Sequence, residues 1–342
     1  MLKILYNKIV FNMSTKNKAK LNIKSFLPKK SVFYLLTVYS WRSFYWLAFL
    51  ILLPLFIWIF SELAWIKVQD MLNLISKYEE SFTPSQYLAM QFNIYQYFRS
   101  LLIVVVISPI ALINISLLPL IVCYINQSVL AKKIGISNGT NKFNYMLTIF
   151  LFFFLFNIII IFYVFFWLWI LNVGDPEKLG LIFGGSNAFS YGVWELSTNW
   201  GQLIMALLYQ TIFSITLGLL LVMIIKKNIV VQCISSIIFV MSLLLSGVFF
   251  DTGTINQNMA IRVISYIIPF RYTMGLVNIA WLDMDIFSMT SKILYLPIDG
   301  NHKMPAYTLY YNYDMYLNWF IPLVVIGIGT YTNIKLVNFS GK

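Results

Sequence analysis

The way charge is distributed between hydrophobic stretches constrains this chain more than any other feature. Four segments, residues 1–43, 126–142, 226–228 and 334–342, hold sixteen Lys and Arg and no Asp or Glu. The other segments hold all 12 acidic residues and only eight basic ones. Lys and Arg are retained on the cytoplasmic side of inserted helices. The partition therefore predicts a polytopic membrane protein with both termini in the cytoplasm.

Six hydrophobic stretches separate these segments, and each approaches the roughly 20 residues that a helix needs to cross a bilayer. The stretches are 44–63, 101–125, 143–171, 201–225, 229–250 and 316–336. We therefore predict an all-α polytopic membrane protein with six transmembrane helices. The predicted outer loops are 64–100, 172–200 and 251–315, and the predicted inner loops are 126–142 and 226–228.

The chain divides into a cytoplasmic arm, residues 1–43, and a transmembrane domain, residues 44–342. Near the end of the arm, Phe33, Leu36 and Tyr39 recur at helical spacing between basic residues. This pattern predicts a helix that lies along the inner membrane surface. The alternative is a flexible basic tail that runs straight into the first span.

Composition excludes a soluble domain. Hydrophobic residues make up 60% of the chain, charged residues only 11%, and the mean hydropathy is +0.79. The net charge of +12 comes from basic residues that flank apolar runs instead of clustering on a soluble module. We therefore expect the lipid bilayer as a partner and no nucleic acid. Abundant Ile, Phe, Tyr, Asn and Lys indicate an AT-rich coding sequence, which favours a bacterial plasma membrane.

The stretch 259–281 is apolar enough to enter the bilayer, yet it contains Arg262, Pro269 and Arg271. A centrally placed Arg costs about 2.5 kcal/mol or more in a single span. A full crossing would also move the four aspartates between residues 283 and 314 to the cytoplasmic side. We therefore predict a re-entrant pair of short helices that enters from outside and returns around Pro269. Such turns survive at membrane depth only beside protein or water, so the pair is expected to line a pathway.

Motifs for enzyme chemistry or metal binding are absent from the sequence. The single histidine, His302, lies in a turn-rich loop, and no P-loop ending in Gly-Lys-Ser or Gly-Lys-Thr is present. Asp283 and Asp285 resemble half of a metal motif but are more typical of a solvated turn. Because none of the six stretches contains a deeply placed charge, a proton or ion relay is disfavoured. We expect a transport protein that binds no metal or cofactor itself and has no ATPase site.

Uncharged polar residues interrupt several predicted spans at helical spacing. The candidates for a mildly polar pathway wall are Gln232, Ser235, Ser242, Gln210, Ser214 and Asn114. The alternative for each is hydrogen bonding between helices, which contributes about 0.6 kcal/mol per contact. The third span, 143–171, is crowded with aromatic residues and is expected to face lipid.

The carboxy-terminal half resembles a known family. Residues 245–250 are Leu-Ser-Gly-Val-Phe-Phe, and residues 262–272 include an Ile-Pro-Phe turn at 268–270. This arrangement resembles the membrane subunits of type-2 ABC exporters, whose fifth span ends in a Ser-Gly-hydrophobic run before a re-entrant helical pair. A tight basic turn at 226–228 also fits the family. The likeness is good over about residues 200–281.

The resemblance implies a second six-span permease, identical or different, and cytoplasmic P-loop ATPase subunits that bind ATP and Mg. It implies coupling to the ATPase through the inner loop residues Lys132, Lys133, Gly135, Gly139 and Thr140. The loop keeps Gly-Thr but lacks the acidic residue that often precedes it in the family. It also implies an outer gate formed by Ser246, Gly247, Val248, Phe249, Phe250, Pro269 and Tyr272.

These observations favour an ATP-driven exporter of a lipidic, drug-like or peptide substrate. A secondary carrier or channel driven by an ion gradient is the first alternative. A membrane anchor that transports nothing is the second. Activity that ignores nucleotide would indicate the carrier, and activity that survives loss of the polar residues would indicate the anchor.

Overall fold

The computed structural model describes residues 30–42, 50–60, 63, 66, 70, 73, 102–127, 142–170, 199–225, 227–246, 255–256, 258–295 and 306–336. The helices are α1 (Lys30–Arg42), α2 (Leu50–Phe60), α3 (Leu102–Cys123), α4 (Lys142–Ile170), α5 (Trp200–Ile224), α6 (Asn228–Leu245), α7 (Met259–Ser265), α8 (Phe270–Trp281) and α9 (Asn312–Leu336). Two strands, β1 (Lys292–Tyr295) and β2 (Ala306–Tyr310), lie between α8 and α9.

Four of these helices, α3, α4, α5 and α9, are long and apolar enough to cross a membrane. The α7–α8 pair passes the same test jointly but bends by 101°, so the count is four, or five if the pair crosses as one span. The helices α2 and α6 are apolar but shorter. The prediction of a mostly helical chain with several apolar helices able to cross a membrane is thus confirmed, whereas the count of six and the cytoplasmic termini stay predictions.

Helix α5 lies at the centre of the bundle and contacts α3, α4, α6, α8 and α9. The short α8 is enclosed between α5 and α9, and all of its residues are buried. Its C-terminal end meets the N-terminal end of α5, because Phe165 contacts both Trp200 and Trp281 at ring-centroid distances of 6.1 and 6.4 Å. Helices α5 and α8 are therefore antiparallel.

Helix α4 exposes large apolar side chains, which a soluble protein mostly buries. On α4, exposed residues recur every three or four positions at Leu155, Ile159, Phe162, Phe166 and Ile170. The opposite face of α4 is buried and includes a polar side chain, Asn157. Helix α4 therefore has an apolar outer face suited to lipid and an inner face that packs against the bundle.

A π-helical turn interrupts α3 at Ile113–Leu117, where the N–H of Leu118 bonds to the carbonyl of Ile113. The widened turn brings the Asn114 carbonyl against α5 at Gly218. A Cβ atom at Gly218 would overlap that carbonyl oxygen, so the contact requires glycine. The glycine thus allows the close approach of α3 and α5.

The hairpin β1–β2 corrects the expectation of an all-α chain. Its antiparallel register pairs Lys292 with Tyr310 and Tyr295 with Ala306. Both strands are short runs of aromatic and branched residues, which favour extended structure. Because the residues between them favour turns, the sequence predicts loop for the whole of 251–315 apart from the helical pair.

The last helix begins at Asn312 instead of residue 316. The Asp314 carboxylate accepts a hydrogen bond of 2.8 Å from the backbone N–H of Tyr311, which precedes the first residue of α9. A carboxylate in the first turn that reaches back in this way satisfies an orphan donor and complements the helix dipole. Asp314 therefore belongs to the helix and not to the preceding loop.

Helix α1 is present at the end of the predicted arm and packs against α3 and α4. Val32 and Leu36 are buried, and Phe33 makes an edge-to-face contact of 5.2 Å with Phe152. Its position at a membrane surface stays a prediction. Residues 1–29 of the arm and most of the outer loops 64–100 and 172–200 lie outside the described residues.

Candidate functional site

A cavity of about 630 Å³ lies between α2, α3 and α6. Most of its lining consists of Leu, Ile, Pro and Phe side chains. Its polar lining residues are Ser108, Ser116, Gln232, Ser235 and Ser236. The π-helical turn of α3 forms part of one wall, because Ile113 and Leu117 also line the cavity.

The chemistry of this cavity is that of a site for an uncharged, largely apolar molecule. None of the described residues that line it is charged. The side chain of Ser235 is only 1% exposed, and its hydroxyl has no hydrogen-bond partner among the described residues. Leaving a buried hydroxyl unpaired costs about 1–3 kcal/mol, which a ligand with a hydrogen-bonding group would recover. Apolar walls with a few polar groups are typical of small-molecule sites.

The predicted pathway residues Gln232, Ser235 and Ser242, with Ser246 of the predicted gate, form a polar stripe along α6 that is only partly directed to this cavity. Gln232 and Ser235 line it, and their role in a pathway wall stays a prediction. About two turns after Ser235, Ser242 donates a 2.5 Å hydrogen bond to the carbonyl of Ile238 in its own helix. Ser246 is buried at the end of α6. The stripe therefore has a cavity-facing half and a half that packs within the protein.

The other predicted pathway residues lie in the interior of the bundle, away from the cavity lining. Asn114 donates to Asn157 at 3.1 Å and to Ser214 at 2.6 Å, and Asn157 donates back to Asn114 at 2.8 Å. These three side chains, here called the amide network, are fully buried and join α3, α4 and α5. The geometry favours helix–helix hydrogen bonding for Asn114 and Ser214. Gln210 is also fully buried, and neither Nε2 nor Oε1 of its side-chain amide has a hydrogen-bond partner among the described residues.

A second buried cluster contains charge. The Nη2 atom of Arg271 lies 3.6 Å from Oδ1 of Asp314, and both side chains are 2% exposed. The Tyr266 hydroxyl donates a 2.5 Å hydrogen bond to the same carboxylate oxygen. Arg271 also donates to the hydroxyl of Ser265, and the Tyr272 hydroxyl donates to the carbonyl of Tyr266 at 2.6 Å. We call these five residues the arginine–aspartate cluster.

The sequence pattern does not predict this cluster, because its charged members are 43 positions apart. In the sequence, Asp314 falls in a predicted outer loop, and Arg271 counts only as a cost of membrane entry. The sequence contains one signal of the cluster. The two opposite charges each lie in the first turn of a helix, directly after an aromatic residue. Arg271 is the second residue of α8, and Asp314 is the third residue of α9.

The predicted outer gate is described only in part. Pro269 immediately precedes α8, and Tyr272 is buried within the arginine–aspartate cluster. Gly247, Val248, Phe249 and Phe250 lie outside the described residues, and so do the predicted coupling residues Lys132, Lys133, Gly135, Gly139 and Thr140.

The N-terminal end of α5 is tied to the turn that follows α8. The Asp283 carboxylate accepts a 3.0 Å hydrogen bond from the backbone N–H of Asn199. The backbone φ of Asp283 is 60°. The side-chain amide of Gln202 donates to Asp285 at 3.0 Å. Carboxylates near the N-terminus of a helix interact favourably with the positive end of its dipole. The expected solvated turn is exposed, and it also caps α5.

Lys292 in β1 lies beside this turn. Burial lowers the pKa of its ammonium group below the ordinary value of 10.5, because an apolar setting disfavours the charged form. The nearby Asp285 carboxylate acts in the opposite direction and raises the pKa.

Comparison of the chain with protein-family models, with curated proteins and with solved structures finds no match. The structure establishes a mostly helical chain whose apolar helices suit a multi-pass membrane protein. The resemblance to type-2 ABC exporters rests on the sequence motifs alone.

Proposed function

We propose that this chain is the membrane-spanning subunit of an ATP-driven exporter, of the type-2 ABC class that its sequence resembles. The uncharged cavity between α2, α3 and α6 is the observation that supports this proposal most directly. It offers a site within the apolar bundle for a lipidic or drug-like molecule, or for an apolar peptide. Gln232 and Ser235 would hold the hydrogen-bonding group of such a substrate.

The polarity of α7 supports the re-entrant arrangement that this class implies. Met259 and Val263 of α7, and Ile267 just after it, point outward and are 80, 56 and 76% exposed. Arg262 instead turns inward, and its guanidinium lies 4.4 Å from the centre of the Tyr311 ring. On a surface helix of a soluble protein, the apolar side would face the protein and the arginine would face the solvent. This inverted helix fits a pair that enters the bilayer from outside and returns at Pro269.

In this proposal, separate P-loop ATPases bind ATP and Mg and act on α1 and the inner loop 126–142. A second six-span permease completes the pathway, and the residues around Ser246 and Pro269 form its outer gate. The assembly lies in the plasma membrane with both termini inside. A cysteine placed at Asn301 should then react from outside, and one at Ser137 only after permeabilisation. Labelling of intact cells at Ser137 would reverse the orientation.

Export from vesicles tests the function. The chain is purified with the ATPase that accompanies it and reconstituted, and ATP-dependent movement of a fluorescent lipid analogue is measured. Ser235→Phe fills the cavity and should lower export by about tenfold, since a drug-sized ligand depends on most of its contact surface. The matched control is Ile159→Phe on the outer face of α4, which should export normally. Equal export by both variants, or export without any ATPase, would refute the proposal.

One observation favours the alternative of an ion-driven carrier. Buried ionisable residues in membrane proteins often mark ion or proton pathways, and Arg271 and Asp314 form such a pair. A carrier should lose activity when a protonophore collapses the gradient and should ignore nucleotide. The exporter should show the opposite pattern in the same vesicles.

A further inference from the structure

We infer that the arginine–aspartate cluster is a conformational latch, which holds the α7–α8 break rigid and ties it to the start of α9. Its part in transport rests on the proposed function, whereas its mechanical action does not. The latch makes α7, α8 and the first turn of α9 one body, so that the break at Pro269 does not act as a hinge.

The first set of contacts closes the break itself. Arg271 on α8 donates to the Ser265 hydroxyl on α7, and that hydroxyl donates to the carbonyl of Arg262 at 2.6 Å. The Tyr272 hydroxyl on α8 donates to the carbonyl of Tyr266, just after α7 ends. The Arg271 guanidinium also lies 4.2 Å from the centre of the Tyr266 ring. Side chains thus bridge the proline from both helices.

The second set of contacts ties the break to α9. Oδ1 of Asp314 accepts from Tyr266 and faces Arg271, while Oδ2 accepts from the N–H of Tyr311. Both carboxylate oxygens are therefore engaged. Arg262 reinforces the tie by stacking over Tyr311, and the rings of Tyr311 and Tyr313 are themselves stacked at 5.4 Å.

Burial of the charges makes this tie cooperative. In a setting of low dielectric constant, separating Arg271 from Asp314 leaves each charge without compensation and without water. A small displacement of α7 relative to α9 therefore meets a steep rise in energy. The break can move with α9 as a unit, or the cluster must open and become hydrated as a whole.

Spin-label distances in lipid nanodiscs test the latch in the full-length chain. Labels are attached at Val263→Cys on α7 and Phe320→Cys on α9, both on outward faces, after Cys123→Ala and Cys233→Ser. In the latched protein this distance should have one narrow distribution. A broad or two-peaked distribution without further substitution would overturn the inference.

The decisive variant combines Arg271→Met, Asp314→Asn and Tyr266→Phe. It removes both charges together, so no buried charge is left alone, and the asparagine can still accept from the N–H of Tyr311. The distance distribution should become at least about twice as wide, as expected when a tertiary tie between elements is lost. The control Asp285→Asn removes a carboxylate from the exposed turn and should leave the distribution narrow. A folded triple variant with an unchanged distribution would refute the latch.

The measurement needs neither nucleotide nor substrate, so its outcome is independent of export. Loss of the narrow distribution in the triple variant establishes the latch even if vesicle export fails. If export is observed, the triple variant should change its rate at least about threefold, because the energy needed to move the break has changed. Unchanged export with a widened distribution would refute the role of the latch in transport.

Discussion

The amide network contains no charged group, whereas the arginine–aspartate cluster contains two. Both are buried, and both join elements that are distant in the sequence. The amide network joins three long helices in the middle of their length, where Asn114, Asn157 and Ser214 are satisfied by one another. The arginine–aspartate cluster lies instead at helix ends, beside a proline break.

The difference suits the two regions to different mechanical roles. Hydrogen bonds between uncharged side chains in membrane bundles contribute about 0.6 kcal/mol each, so a lost bond is tolerated. A buried ion pair contributes little net stability when intact, but loss of one partner is costly. The amide network is therefore suited to static packing, and the charged cluster to a contact that is either closed or fully open.

The largest expected effect tests the charged cluster. Arg271→Met leaves the Asp314 charge buried without its cation and should lower the free energy of unfolding by about 3–5 kcal/mol. Arg271→Met combined with Asp314→Asn removes both charges and should recover most of that loss. Unfolding in detergent micelles, followed by circular dichroism, measures both variants. Equal losses in the single and double variants would contradict the coupling of the two charges.

The next effect concerns the packing beside the amide network. Gly218→Ala places a methyl group against the Asn114 carbonyl and should cost about 1–3 kcal/mol, since α3 and α5 must separate. Gly327→Ala is the matched control, because its Cβ would have no neighbour within 4 Å among the described residues. That control should be neutral or slightly stabilising. Equal unfolding midpoints for the two variants would show that the contact is not tight.

A smaller effect is expected within the amide network itself. Asn157→Leu removes the bonds to Asn114 but leaves the Asn114 bond to Ser214, so the loss should be about 1 kcal/mol. The double variant Asn114→Leu and Asn157→Leu should lose less than the sum of the single variants, since no amide is then left unpaired. Additive losses, measured by the same unfolding experiment, would mean that the two amides act independently.

The smallest effect is a pH dependence outside the bundle. Because the pKa of Lys292 is lowered in the folded state, the unfolded chain binds more protons in the window between that lowered value and 10.5. The stability of the protein should therefore rise with pH through this window. The Lys292→Gln variant should not show this rise. The difference between the melting temperatures of the unsubstituted protein and the variant, measured across this pH window, gives the contribution of Lys292. If the stability of the unsubstituted protein fell relative to that of the variant over this window, the pKa of Lys292 would be raised by folding and not lowered.

Much of the architecture could be predicted from the sequence because it depends on local properties. Four of the six apolar stretches became helices long enough to cross a membrane. Pro269 with its flanking arginines predicted the break between α7 and α8. Turn chemistry was less reliable, since the strands β1 and β2 lie on either side of residues that favour loops. Helix α9 starts before the predicted residue 316. The prediction was wrong there because Asp314, which caps the helix, has the charge expected of a loop residue.

The candidate site was predicted only in part, for a different physical reason. Helical spacing places Gln232 and Ser235 on one face, but only packing decides whether that face meets a cavity or another helix. Spacing placed Asn114 and Ser214 among the pathway residues as well, and packing enclosed them in the amide network. Residue type alone does not distinguish these environments.

The sequence by itself determined that this chain is built of apolar helices with a break at Pro269, because hydrophobic length and proline geometry act over a few residues. Only the tertiary structure decided that Arg271 lies beside Asp314 and that Asn114 lies between Asn157 and Ser214. These partners are 43 to 100 positions apart. Which distant side chains meet is fixed by how whole helices pack, and in this bundle that packing depends on Gly218 and on the π-helical turn opposite it.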